Sequence, residues 1–241
     1  MCVIYLAFEY HPRYPLILAA NRDEYYDRPT APAGKWEDEP EIYAGRDLIS
    51  GGTWLGVTTS GRFAAVTNFR DPLAPTGSHS RGTLVADFLR SDQSPADYLE
   101  KVLEKADAFS GFNLFIGRID EDVRELFYLS SRGDGVTQLA SGIYGLSNNL
   151  LDVPWPKVTN GKARFEKIVS GDNVDSERLF TLLSDEATAP EWELPHTGIS
   201  PAREKALSAI FIKTPDYGTR SSTVLTIGTS LIPEIEERVF V

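Results

Sequence analysis

The sequence predicts an α+β fold in which antiparallel sheets are covered by helices. Strand-like apolar runs come in groups joined by short turns, and amphipathic helical segments form two separate blocks along the chain. A parallel β-α-β fold would instead require a regular alternation of strand and helix. The 241 residues contain no low-complexity linker and no internal repeat, so we expect one domain over residues 1–241.

The first half of the chain predicts two hairpins followed by two helices. β-branched and aromatic content predicts strands, with turn residues between them. A polar, proline-rich stretch, residues 21–40, is predicted to be an ordered loop, and Ser94 is a candidate N-cap before Pro95. The predicted strands are residues 2–8, 16–20, 54–58 and 63–67, and the predicted helices are residues 83–89 and 95–108.

The second half predicts a meander, a helical block and two closing strands. The turn sequence Gly133-Asp134-Gly135 lies between the last two strands of the meander. The predicted strands are residues 112–116, 125–129, 136–139, 143–146, 222–227 and 235–239, and the predicted helices are residues 162–169, 176–183 and 203–211.

Composition and charge exclude several classes of function. The net charge of −11 disfavours a duplex nucleic-acid binder, which needs a basic face, and disfavours attachment to anionic membranes. No apolar run approaches the roughly 18–20 residues that span a bilayer, and the N-terminus lacks the features of a secretory signal. One cysteine forms no internal disulfide, and three scattered histidines offer no metal cluster. We therefore expect a cytoplasmic protein.

The only cysteine stands directly after Met1. Removal of Met1 would leave Cys2 with a thiol and a free α-amine on one residue, so the amine could act as the base for the thiol. The alternative is that Cys2 is a small buried hydrophobic residue at the start of a strand. Position alone favours the alternative, so the choice depends on residues further along the chain.

Polar residues gather at four strand ends, where sites are often built on rigid scaffolds. Each group has an ordinary explanation, as a solvated loop, a turn cap or an exposed arginine. Together they match what a nucleophilic thiol needs, namely amide donors for an oxyanion, an acceptor that orients the amine, and a cation beside the sulfur. The four groups are residues 21–24, 67–68, 147–149 and 217–222.

The same motifs resemble those of the NRDE family, also called the transport and Golgi organisation 2 family. The resemblance covers essentially the whole chain, which makes it specific. It rests on Met1-Cys2, Tyr14-Pro15-Leu16, Ala19-Ala20-Asn21-Arg22-Asp23-Glu24, Arg28-Pro29, Gly51-Gly52-Thr53-Trp54-Leu55-Gly56, Thr67-Asn68, Arg81-Gly82, Gly145-Leu146-Ser147-Asn148, Pro154-Trp155-Pro156-Lys157 and Tyr217-Gly218-Thr219-Arg220.

This pattern is similar to that of the cysteine branch of the N-terminal-nucleophile hydrolases. The resemblance implies a four-layer αββα sandwich of two antiparallel sheets flanked by helices, with Cys2 on a central strand. It also implies a catalytic set consisting of Cys2, Arg22, Asp23, Asn68, Asn148 and Arg220. Arg22 and Asp23 are adjacent, and adjacent strand residues point to opposite faces, so without a bulge only one of them can face Cys2.

Two main functions follow from the resemblance. The first is an amidohydrolase in which Cys2 attacks an amide or acyl bond of a small molecule, Asn68 and Asn148 stabilise the oxyanion, and no cofactor takes part. The second is a carrier or chaperone on the same scaffold that binds haem or an acyl lipid, because the eukaryotic relatives are associated with haem trafficking and lipid metabolism. A weaker alternative is a structural protein that keeps only the scaffold.

Overall fold

The computed structural model describes residues 2–241, and its strands and helices fill most of that range. The strands are β1 Cys2–His11, β2 Tyr14–Tyr25, β3 Thr30–Lys35, β4 Ile42–Asp47, β5 Leu55–Thr58, β6 Arg62–Asn68, β7 Phe112–Ile119, β8 Arg124–Ser130, β9 Val136–Gln138, β10 Gly142–Leu146, β11 Tyr217–Ile227 and β12 Pro233–Val239. The helices are α1 Gly82–Arg90, α2 Pro95–Glu104, α3 Pro156–Val169, α4 Ser176–Leu183 and α5 Pro201–Ala206. Single 3₁₀ turns lie at Ala106–Ala108 and Glu191–Glu193.

Within the described residues, the strands form two antiparallel sheets. The five-stranded sheet has the order β10-β1-β2-β11-β12, and the seven-stranded sheet runs in chain order from β3 to β9. β1 therefore lies inside its sheet, between β10 and β2. The α+β class and the central position of the Cys2 strand are both as predicted.

Alternating side chains on β1 define the layers. Ile4 and Leu6 pack between the two sheets against Phe63 of β6, whereas Tyr5 faces the other way and packs against Phe165 of α3. The outer face of the seven-stranded sheet is likewise covered by helices, because its apolar side chains pack against α1 and α2. The order of layers is therefore helices, sheet, sheet, helices, which is the predicted four-layer sandwich.

The largest difference from the sequence-based prediction lies in residues 21–40. We predicted a loop there, but β2 continues to Tyr25 and β3 follows at Thr30. The continuation of β2 is explained by β11, which pairs with β2 as far as Tyr217 opposite Tyr25. A long neighbouring strand supplies backbone partners, so polar side chains can remain in regular strand structure.

Other boundaries differ in smaller ways. β4 was missed, and β11 begins at Tyr217 rather than at residue 222. α3 begins at Pro156, a residue type suited to the first helical position, instead of at residue 162. α2 ends at Glu104, and α5 covers Pro201–Ala206 in place of the predicted 203–211. The predicted N-cap is confirmed, because the Ser94 side chain accepts a hydrogen bond from the Asp97 N–H at 3.1 Å.

The turn between β5 and β6 gives a prediction about stability. Gly61 has a φ of 77°, and a Cβ on it would lie 1.9 Å from the carbonyl oxygen of Ile119. Gly61→Ala is expected to lower the free energy of unfolding by about 3 kcal/mol, because backbone strain and a backbone clash add. Gly51→Ala is the control: its φ is 72° but nothing lies within 4 Å of the new Cβ, so about 1 kcal/mol is expected. Urea unfolding of both variants would measure the difference, and equal costs would contradict the clash.

Candidate active site at Cys2

Cys2 begins β1 and lies directly opposite Arg22 of β2. Its side chain has the same alternation as Ile4 and Leu6, so it points between the sheets. Only 6% of the residue is exposed. The Cys2 carbonyl accepts a hydrogen bond of 3.1 Å from the Ser147 hydroxyl, which fastens the start of β1 to the end of β10. The thiol is therefore held on a rigid strand at the end of the inter-sheet layer.

The thiol borders a cavity of about 370 Å³ at this end of the sandwich. Five of the six predicted site residues line this cavity, and they are Cys2, Arg22, Asp23, Asn68 and Arg220. Its walls carry many charges, including Glu24, Arg28, Arg46, Asp47, Arg81 and Glu237. The volume falls within the range of small-molecule sites, but the wall is more polar than is usual for an apolar ligand.

Strand alternation decides between Arg22 and Asp23. The Arg22 side chain lies on the Cys2 face, with its Nη2 3.9 Å from Asp47 Oδ2. Arg22 is 7% exposed, and its Nη1 has no hydrogen-bond partner among residues 2–241. The Asp23 carboxylate belongs to the opposite face, where its Oδ1 accepts a hydrogen bond of 2.7 Å from the Thr219 hydroxyl. The two adjacent residues thus approach Cys2 from different sides of the sheet.

Burial and charge act on the thiol in opposite directions. Burial raises the pKa of Cys2 above its ordinary value, and the negative charge of Asp23 raises it further. A hydrogen bond from the Asp23 backbone N–H and the positive charge of Arg22 both lower the pKa of the thiol. The thiolate is the nucleophilic form, so the thiol depends on these nearby donors and cations for its reactivity.

The two predicted oxyanion donors occupy different positions. Asn68 ends β6 and lines the cavity. Asn148 is completely buried and does not line the cavity. Its side-chain amide donates to the Asn68 backbone carbonyl at 2.9 Å. The Asn148 backbone carbonyl accepts a hydrogen bond from the Arg70 N–H at 2.7 Å. Asn148 therefore holds the end of β6 where Asn68 faces the cavity.

Arg220 lines the cavity at an irregular point in the pairing of β11 with β2, between Thr219 and Ser221. Its guanidinium donates to the Tyr25 carbonyl at 3.0 Å, to the Arg28 carbonyl, and to Val241 at 3.1 Å. These bonds tie the segment after β2 and the end of the chain to β11. Arg220 thus shapes the cavity wall, and its guanidinium N–H groups are bonded to backbone carbonyls.

Two basic residues near Cys2 were not singled out as site residues from the sequence. Arg81 lines the cavity and donates to the Gly111 carbonyl at 3.1 Å. Burial lowers the pKa of Arg81, and the nearby Cys2 charge acts against this lowering. The second is Lys157, which is 3% exposed on the helix side of the five-stranded sheet. Both belong to quoted motifs, Arg81-Gly82 and Pro156-Lys157, but a basic residue before or within a helix has no periodicity that marks it as functional.

Among the described residues, no group of three or more His, Cys, Asp and Glu side chains could hold a metal ion. None of the helices within residues 2–241 is long and apolar enough to cross a membrane.

Two solved structures resemble this chain over nearly its full length. One is an N-acylethanolamine-hydrolyzing acid amidase ortholog from Caenorhabditis elegans, with a TM-score of 0.49, 13% identity and coverage of 100% of both chains. The other is a mutant of the conjugated bile acid hydrolase from Clostridium perfringens, with a TM-score of 0.47, 10% identity and coverage of 99% of this chain and 92% of that one. Both TM-scores lie below 0.5, so the fold assignment rests on the strand order and packing described above.

Sequence similarity is much closer to one group of proteins. The chain is 38% identical to the Transport and Golgi organization protein 2 homolog of Bos taurus and 36% identical to that of Homo sapiens. It is also 32% identical to the Drosophila melanogaster protein, and each match covers 94% of this chain and 88% of the relative. The model of the Transport and Golgi organisation 2 family matches residues 1–240. The chain therefore belongs to the Transport and Golgi organisation 2 family.

Proposed function

We propose that this protein is an amidohydrolase that cleaves an amide or related acyl bond of a small molecule through Cys2. The observation that carries the proposal is the position of the single cysteine. It lies at the start of an interior strand, borders a cavity, and has Arg22 on the same face and the Asp23 N–H directed at its sulfur. A buried thiol with a cation and a donor beside it is equipped for nucleophilic attack.

The reaction would proceed in two steps after Met1, which lies outside the described residues, has been removed. The Cys2 sulfur attacks the carbonyl carbon while the α-amine accepts the thiol proton. The carbon–nitrogen bond then breaks, the amine leaves with that proton, and a thioester remains on Cys2. Water attacks the thioester and gives one proton to the α-amine. The carbon–sulfur bond then breaks, the α-amine passes that proton to the departing sulfur, and the carboxylic acid and the free Cys2 thiol are released.

In this proposal the remaining residues bind and orient. Asn68 donates to the developing oxyanion, Asn148 holds Asn68 in place, and the Asp23 carboxylate orients the α-amine. Arg22 favours the thiolate through its charge. Arg220 keeps the wall of the cavity in position through its bonds to backbone carbonyls.

The competing proposal is a carrier of haem or an acyl lipid in the same cavity. His79 lines the cavity and would be available to such a ligand, with its Nδ1 2.9 Å from the Ser78 hydroxyl. The charged walls favour the hydrolase, because a carrier of apolar cargo is expected to present a predominantly apolar surface.

The deciding experiment uses intact mass spectrometry of the purified chain. The first measurement shows whether Met1 has been removed. The protein is then incubated with p-nitrophenyl acetate, and the trimmed form is expected to gain one acetyl group at Cys2 that hydroxylamine releases. Absence of labelling on trimmed protein, together with binding of haem or fatty-acid vesicles that does not depend on the thiol, would establish the carrier instead.

The two asparagines give a prediction that separates catalysis from support. Asn68→Ala is expected to slow deacylation by about 10²–10³-fold with little change in melting temperature, the usual effect of losing one oxyanion donor. Asn148→Ala is expected to lower the melting temperature as well, because it removes a completely buried amide that bonds the Asn68 carbonyl. Single-turnover kinetics and thermal unfolding of both variants provide the comparison. An unchanged rate in Asn68→Ala would exclude it as the donor.

A further inference from the structure

A row of polar side chains crosses the space between the two sheets at the Cys2 end of the sandwich. Three neighbouring strands of the seven-stranded sheet, β6, β7 and β8, each contribute one buried member of this polar row. The members are Thr67, Asn113 and Tyr128. All three bond to the connecting segment, residues 147–151, which follows β10 of the other sheet.

The polar row meets the connecting segment at every second residue. The bonds run from the Thr67 hydroxyl to the Ser147 carbonyl at 2.7 Å, from the Asn113 side-chain amide to the Asn149 carbonyl at 3.0 Å, and from the Leu151 N–H to the Tyr128 hydroxyl at 3.1 Å. Side chains of one sheet thus supply the hydrogen-bond partners that a neighbouring strand would otherwise supply to this backbone.

The members of the polar row also bond to one another. The Asn113 amide donates to the Thr67 hydroxyl oxygen at 3.2 Å, and Asn113 Oδ1 accepts a hydrogen bond of 2.8 Å from the Tyr128 hydroxyl. Asn113 therefore uses its amide nitrogen for two carbonyl or hydroxyl acceptors and its oxygen for one donor, which fixes the direction of its amide. A buried polar network whose members are all paired holds the groups that it joins rigidly.

The polar row leads to the backbone of Cys2. Ser147, whose carbonyl accepts from Thr67, uses its own hydroxyl to donate to the Cys2 carbonyl at 3.1 Å. Cys2 belongs to the five-stranded sheet, whereas Thr67 belongs to the seven-stranded sheet. Ser147 is therefore the joint through which the seven-stranded sheet holds the start of β1.

The same region holds Asn68 by a reciprocal pair of bonds. The Thr67 side chain bonds to the Ser147 backbone, and the Asn148 side chain bonds to the Asn68 backbone carbonyl at 2.9 Å. The motifs Thr67-Asn68 and Ser147-Asn148 thus clasp each other across the two sheets. These bonds determine where the thiol on one sheet lies relative to Asn68 on the other.

Further from Cys2, the same faces of the strands are apolar. Phe63 and Ala65 occupy the corresponding positions of β6, and Phe115 and Ile119 occupy those of β7. Apolar contacts are non-directional, whereas hydrogen bonds require particular distances and angles. A polar row at the Cys2 end is therefore suited to fix the relative position of the sheets where the cavity lies.

We infer that Thr67 and Asn113 are positioning residues for the Cys2 site, and that the polar row sets the position of Cys2 relative to Asn68. Neither Thr67 nor Asn113 lines the cavity, so each acts through the residues that do. The inference rests on the proposed function in taking Asn68 as the oxyanion donor. A displacement of about 1 Å at a reacting group is enough to slow a reaction about 10²-fold.

The first test measures deacylation after labelling with p-nitrophenyl acetate. Thr67→Val keeps the shape of the side chain but removes the hydroxyl, and it is expected to slow deacylation about tenfold. Thr67→Ser should restore most of the rate, because it restores the donor to the Ser147 carbonyl. Asn113→Leu, which removes the centre of the polar row, is expected to slow deacylation about 10²-fold.

Thr58→Val is the matched control. Thr58 is also a buried threonine of the seven-stranded sheet, and its hydroxyl accepts a hydrogen bond of 3.1 Å from the Arg62 N–H. It lies at the end of β5 and β6 that is remote from Asn68. Thr58→Val should therefore lower the melting temperature about as much as Thr67→Val does, with an unchanged deacylation rate.

A double-mutant cycle distinguishes positioning from a general structural defect. If Thr67 acts through Asn68, Thr67→Val should slow deacylation no further in the Asn68→Ala background. Losses that multiply in the double variant, or a wild-type rate in folded Thr67→Val protein, would overturn the inference.

Hydrogen exchange read by mass spectrometry of peptic fragments tests the same inference without turnover. Asn113→Leu is expected to speed exchange about tenfold in fragments that contain residues 2–6 and 66–70, and Thr58→Val should leave both fragments unchanged. Tyr128→Phe, which removes one atom of the polar row, should act in the same direction and serves if Asn113→Leu does not fold.

Faster exchange confined to residues 147–151 would show that the polar row holds only the connecting segment, and the inference would fail. A wild-type protein that is never acylated would refute the hydrolase. The exchange of residues 2–6 and 66–70 would then decide by itself whether the polar row positions Cys2 and Asn68.

Discussion

Replacing Cys2 with serine is expected to reduce acyl transfer by about 10³-fold or more, because the thiolate is a far better nucleophile than a hydroxyl near neutral pH. Serine differs from cysteine by one atom, and the residue is only 6% exposed, so the fold should be retained. The measurement is the rate of p-nitrophenol release together with the mass of the acylated protein. A chain that retains Met1 should be similarly slow, since its Cys2 has no free amine.

The serine variant also separates the two proposed functions. Binding of haem or a fatty acid that depends on cavity shape should be unaffected by the change of one atom. Retention of acyl transfer in the serine variant would show that another group is the nucleophile, and the proposal would have to be withdrawn. Ser221 and Ser80 also line the cavity, so Ser221→Ala and Ser80→Ala are suitable controls for labelling elsewhere.

Local sequence patterns predicted the strands and helices that lie in the core. The same patterns did not predict where the longer strands end. Leu16 to Ala20 form an apolar run that identifies β2, but the strand continues through Arg22 to Tyr25. That continuation depends on pairing with β11, which is about 200 residues away in sequence. The residues 23–25 themselves carry no local pattern that indicates a strand. Tertiary pairing therefore overrode a local pattern that is typical of a loop.

The site shows the same limit. Strand alternation predicted that only one of Arg22 and Asp23 would share a face with Cys2, and the structure puts Arg22 on that face. The sequence could not decide which of the two it is, because that depends on the register between β1 and β2, in which Cys2 lies opposite Arg22. The burial of Lys157 was out of reach for a related reason, since it arises from the packing of α3 on the five-stranded sheet.

Breaking the buried ion pair between Arg70 and Glu204 should have the largest effect on the free energy of unfolding. Arg70 and Glu204 are joined at 2.9 Å, and their side chains are only 6% and 4% exposed. The Arg70 guanidinium also lies 4.6 Å above the Trp155 ring, and Glu204 accepts a hydrogen bond of 2.9 Å from the Thr197 N–H. Glu204 thus joins α5 and the segment before it to the loop that follows Asn68.

Glu204→Ala is expected to lower the free energy of unfolding by about 3–5 kcal/mol, because it leaves the Arg70 charge buried without a partner. For a chain of this size that corresponds to a fall of about 10 °C in melting temperature. Glu186→Ala is the control: Glu186 pairs with Lys213 at 3.3 Å, but both side chains are more than half exposed, so a change of about 1 °C at most is expected.

The double variant Arg70→Met with Glu204→Leu tests the cause of that loss. Apolar replacement of both members of a buried pair is often neutral or stabilising, so most of the lost stability should return. A single variant with a normal melting temperature would show that the pair does not hold α5 in place.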